Sequence, residues 1–106
     1  TASAIDSALN TIPENEVRWL YLETYRIAEE AQYLQKHYQR TKKWREFNYL
    51  ENDITEPSKK LHQAVEGYFQ RRYPAAFASI GKEKAAIRQR GILFQQELET
   101  VVGEYR

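Results

Sequence analysis

The chain has 106 residues, 42% of them hydrophobic and 29% charged, and its 16 Lys and Arg against 15 Asp and Glu leave a net charge of +1. That size and composition suit one soluble domain spanning 1–106, and so balanced a charge favours no class of partner. The absence of Cys excludes disulfides, thiolate metal sites and Cys nucleophiles, and a mean hydropathy of -0.80 with no run of about 20 apolar residues argues against a bilayer-spanning helix.

The chain begins at Thr1 and contains no Met, which reads as a processed or excised form. A short helix is expected over about 4–9, with Ser3 as its cap and Asp6 three residues on. Pro13 then suits a first helical position, and Glu14 and Glu16 put negative charge where the helix dipole favours it.

From Pro13 to Pro57 the intervening residues include neither Gly nor Pro. Leu20, Thr24, Ile27, Ala31, Leu34, Tyr38 and Thr41 recur at alternating spacings of four and three, the mark of an amphipathic helix. After Tyr38 the apolar phase shifts to Trp44, Phe47 and Leu50. The phase change fits either a helix that runs on or a turn near Arg40 to Lys43; since only Thr41 there favours a turn, one very long helix over about 13–50 is the preferred expectation, with Trp44 in the core. Glu16, Glu23 and Glu30 form a heptad line beside this stripe, read as a solvated flank or as partners for Arg88 and Arg90.

Asn52, Asp53 and Thr55 before Pro57 read as a stop and a fresh start, giving a helix over about 56–72 that buries Leu61, Val65, Tyr68 and Phe69. Pro74 ends or kinks it. A long C-terminal helix over about 75–104 follows, carrying a seam of Ile80, Lys84, Ile87, Gly91, Phe94, Leu98, Val101 and Tyr105, with Gly81 as a point of interruption. Gly inside a helix costs about 1 kcal/mol relative to Ala, so Gly91 on the seam marks close approach of a neighbouring helix. The sum is an all-α antiparallel helical bundle of three to four helices.

Chemistry is less legible. Lys36, Arg40, Lys42, Lys43, Trp44 and Arg45 form a basic and aromatic segment, a candidate surface for a protein partner or an anion, nucleic acid included. Dimetal bundles need a Glu three residues before a His, whereas Leu34 precedes His37 and Lys59 precedes His62. No phosphate loop, nucleophile elbow or zinc helix is present, so no catalytic residue, metal or cofactor is assigned. With eight Tyr, four Phe and two Trp, several hydroxyl-bearing rings must sit at a rim or an interface, where aromatics dominate binding.

The pattern points to a non-enzymatic protein-interaction module, an adaptor, assembly factor or small regulatory subunit, that self-associates or binds a protein partner through aromatic-rich helical faces. The alternatives are an accessory nucleic-acid-binding protein using 36–45 and a cofactor-free helical enzyme acting on a small anionic substrate.

Overall fold

The computed structural model describes residues 2–104, with side chains for residues 4–100. The described residues form an all-α bundle: α1 (Ala2–Leu9), α2 (Glu14–Arg40), α3 (Trp44–Leu50), α4 (Glu56–Arg72), α5 (Pro74–Ala78) and α6 (Gly81–Glu104). The cap expected of Ser3 and the last seam positions, Val101 and Tyr105, lie outside the described side chains.

Pro13 precedes α2, and its carbonyl accepts the amides of Glu16 and Val17 at 3.0 and 3.1 Å. The helix expected over about 13–50 does not run through: it ends at Arg40 and the chain reverses over 41–43. The device is a Schellman cap. The Lys43 amide donates to the Tyr38 carbonyl at 2.9 Å and the Lys42 amide to that of Gln39 at 3.2 Å, while Lys42 adopts φ 60°. Glycine is the usual residue at this left-handed position, and a lysine there conceals the turn from any search for Gly, Asn or Pro.

Lys42→Gly is therefore expected to raise stability by about 0.5–1 kcal/mol, because left-handed strain of about 1–2 kcal/mol disappears while glycine forfeits part of that in the unfolded chain. Equilibrium urea unfolding reads the difference. A loss of stability would show that the Lys42 side chain makes contacts worth more than the strain.

The second departure mirrors the first. Where a stop was expected, α3 continues through a π-helical turn, Glu51–Thr55, into α4, so the backbone is helical from Trp44 to Arg72. An α-helical Pro57 would drive its ring against the Asp53 carbonyl, and the π turn, closed by the Glu56 amide on the Glu51 carbonyl, widens the backbone there. Thr55 in that turn is buried and donates to Gln35 Oε1 of α2 at 2.5 Å. Further on, Tyr73 leaves helical geometry before Pro74 (φ -132°, ψ 64°), as expected of the residue before a proline, and the expected interruption at Gly81 falls just before α6 begins.

α2 is the spine. It packs on α4 along one side and on α6 along another, whereas α4 and α6 hardly touch. Contacts of Tyr21 with Glu66, Thr24 with His62 and Gln35 with Thr55 set α4 antiparallel to α2. Arg18 with Glu83 and Arg40 with Glu99 set α6 parallel to it, so the bundle is antiparallel only in part. The result is a long, shallow array of 50 × 29 × 15 Å.

Gly91 is the close approach expected of it. A Cβ there would run into the ring of Tyr33 on α2. The rest of the α6 seam, Ile87, Phe94 and Leu98, is half-buried.

The core lies at one end. Leu9, Val17, Tyr21, Val65, Tyr68, Phe69 and Ile80 form one buried cluster, with Phe77 of α5 packed against it. Each buried tyrosine hydroxyl has its partner, Tyr21 donating to Glu66 at 2.9 Å and Tyr68 to Asn10 at 2.6 Å. Leu61, expected inside, is 42% exposed. Val65 and Phe69, one and two turns further along the same stripe, are fully buried, so the core stops short of Leu61.

A candidate partner-binding tip

The end opposite the core is built by the 41–43 turn and the helices on either side of it. Six sequence candidates meet different fates there. Lys36 lies over the Tyr33 ring, 5.6 Å from its centroid, on the side of α2 that faces α6. Arg40 is held by Glu99 of α6. These two are thereby separated from the others in role. Lys42, Lys43 and Arg45 are exposed and make no ion pair among the described residues.

Trp44 was expected in the core and is 51% exposed, stacked edge-on against Phe47 with centroids 5.7 Å apart. The turn explains the correction. A continuous helix would have carried Trp44 onto a face packed by neighbours, whereas at the first position of α3 it stands where α2 has already ended.

Beside the turn a cleft of about 350 Å³ opens between α2 and α3, lined by Leu34, Tyr38, Arg45, Glu46, Tyr49 and Leu50. Most of its lining is aliphatic or aromatic. Leu50 is buried at its floor, and Tyr49 is 59% exposed beside it. Sequence reasoning did not assemble this cleft, although Leu34, Tyr38 and Leu50 all stood in its apolar stripes. The turn that brings the end of one stripe against the start of the next was the missing fact.

A second cluster lies where α2, α4 and α6 converge. His62 of α4 stacks on Tyr21 at 4.9 Å and tilts toward Tyr25 at 5.5 Å, while Lys84 of α6 lies over both tyrosine rings, 5.6 and 5.0 Å from their centroids. The Thr24 hydroxyl donates to the Tyr21 carbonyl at 2.9 Å, which leaves His62 Nδ1 to donate to Thr24 Oγ1 at 3.1 Å. His62 Nε2 sits 3.6 Å from Glu66. Thr24, His62 and Glu66 are residue types found in nucleophile, base and acid roles, but Thr24 is 4% exposed and its proton is engaged, so the hydroxyl is closed to substrate. The cluster ties three helices together.

Burial holds the His62 pKa below its ordinary 6.5, with Lys84 adding to the effect and Glu66 opposing it. A depressed histidine pKa means that the fold prefers the neutral ring. Its contribution is complete above pH 6.5 and is lost as pH falls from there toward the folded value. Thermal midpoints are expected to drop as pH falls below about 6.5, before the carboxylates begin to titrate. His62→Gln should flatten that slope. An equal slope in the variant would assign it to another group.

Glu23 and Glu30 of the heptad line both close on Arg26 of their own helix, at 2.7 and 2.9 Å, and not on Arg88 or Arg90. That arrangement is a solvated flank, and it holds the Glu23 carboxyl below its usual pKa range through the Arg26 guanidinium. Among the described residues no group of three or more His, Asp or Glu is placed to hold a metal ion, and no helix is long and apolar enough to cross a membrane. Comparison of the chain with protein-family models, with curated proteins and with solved structures gave no match.

Proposed function

We propose that this chain is a protein-interaction module that engages a partner through its aromatic-rich helical faces. The observation that supports this is the distribution of large apolar side chains. The core gathers at one end, while Trp44 and Tyr49 at the far tip, Ile27 and Leu61 on α2 and α4, and Leu93 on α6 remain 38–59% exposed, and Trp19 of α2 is 62% exposed. Ile27 and Leu61 lie on adjoining helices, within two residues of opposite positions in the register set by Thr24 with His62. Aromatic side chains that keep a half-exposed ring gain most when a partner removes it from water.

Site-specific photo-cross-linking in the cell of origin tests this reading. A photoreactive residue at position 27, 44 or 93 is expected to yield a discrete protein adduct, to another copy of the chain or to a different protein, that the exposed control position Gln70 does not give. Adduct-free chains from all three positions would overturn the proposal.

The accessory nucleic-acid reading draws on the three exposed cations of the tip alone. It requires binding to a short oligonucleotide that weakens steeply as salt rises. No mobility shift at low salt removes it.

A further inference from the structure

Resting on that reading, we propose that the tip formed by the 41–43 turn and α3 is a docking site for an acidic peptide segment carrying one large apolar side chain. The apolar side chain enters the cleft between Leu34, Tyr38, Tyr49 and Leu50, and carboxylates flanking it meet Lys42, Lys43 and Arg45.

Charge complementarity identifies the occupant. Lys42, Lys43 and Arg45 crowd three exposed cations into four residues of the tip, and like Lys60, Lys82 and Arg90 elsewhere they have no carboxylate within 4 Å among the described residues. Arg45 and Glu46 line the cleft as one cation and one acid, and Lys42 and Lys43 in the adjoining 41–43 turn tip the local balance to positive. Lys42 adds a second argument. It keeps a cation at a left-handed position, φ 60°, that glycine would occupy with less strain, and such strain gathers at sites where a side chain is needed. The Schellman hydrogen bonds fix the backbone under Lys42 and Lys43, so the cations are presented from a rigid turn and little ordering is required on binding.

A nucleic acid fits less well. With Arg40 engaged by Glu99 and Lys36 turned toward α6, the basic segment is reduced to a compact knot beside an apolar hollow. A phosphate backbone calls for a cationic track, whereas the hollow calls for a side chain.

The test is fluorescence anisotropy at low and at physiological salt with a labelled short peptide bearing a Phe-Leu pair flanked by glutamates. Three controls accompany it: the same peptide with Ser for Phe-Leu, the same with Lys for Glu, and a labelled single-stranded oligonucleotide. The glutamate peptide is expected to bind with Kd on the order of 10–100 µM. Tyr49→Ser should weaken it about tenfold and the pair Lys42→Gly with Arg45→Gln about fivefold, all three positions being exposed enough to spare the fold. The Ser and Lys peptides should bind far more weakly.

Equal binding of the Ser peptide or the oligonucleotide would make the tip a general polyanion surface and overturn the proposal. So would tight binding that Tyr49→Ser leaves unchanged. Failure of every probe here, with adducts still forming from position 27 or 93, would sink the tip assignment and leave the interaction module standing. Failure of both experiments would remove the two together.

Discussion

Phe69→Ala is expected to cost about 3–5 kcal/mol, enough to remove much or all of the stability of a domain this size, whereas Trp44→Ala should cost about 1 kcal/mol or less. The difference is one of position. Phe69 is fully buried, with Tyr21 and Phe77 rings at 5.5 and 5.8 Å, and deleting it leaves a cavity that three helices must close around. Trp44 has one aromatic neighbour and half its surface in water. Urea unfolding of the two variants, with far-ultraviolet circular dichroism as the probe, compares them directly. A Trp44→Ala loss as large as that of Phe69→Ala would mean that the tip carries part of the core, and the docking reading of its exposed ring would fail with it.

Gly91→Ala should destabilise by about 1 kcal/mol and yet stabilise by about 1 kcal/mol when Tyr33 is also Ala. In the wild-type background the added methyl meets the Tyr33 ring, and overpacking of this kind costs about 1–3 kcal/mol, more than the roughly 1 kcal/mol that alanine gains as a helix former. Without the ring only the propensity gain remains. The double-mutant cycle therefore predicts a coupling of about 2 kcal/mol and a change of sign. Additive effects would show that α6 shifts away from α2 at little cost, as a helix with a single packing neighbour is able to do.

Both results bear on the same asymmetry. The core end is held by interlocked rings and by the Tyr68 to Asn10 and Tyr21 to Glu66 hydrogen bonds, while toward the tip the spine has the Gln35 to Thr55 bond, the Tyr33 to Gly91 contact and the Arg40 to Glu99 pair. A tip so lightly packed has side chains to spare for a partner, and those are the side chains left in solvent.

Local chemistry was legible wherever it acts alone. The entry to α2 at Pro13, the exit of α4 before Pro74, the break before Gly81 and the close approach at Gly91 each follow from one residue whose backbone or missing Cβ dictates the outcome. The helical class itself follows from apolar spacings of three and four, and the solvated Glu23 and Glu30 flank from its heptad spacing.

Tertiary structure decided the rest, because there the local preference was weak or was overruled. Lys42 enters left-handed geometry since two cap hydrogen bonds and the packing of α2 on α4 outweigh about 1–2 kcal/mol of strain, a balance that no single residue reveals. At Pro57 a π turn keeps a helix going through a residue that normally ends one, with Thr55 bonded to Gln35 across the interface. Those two reversals of local expectation move the chain reversal from 52–57 to 41–43. They thereby turn the basic segment from a helix flank into a tip, with Trp44 in solvent and the cleft beside it.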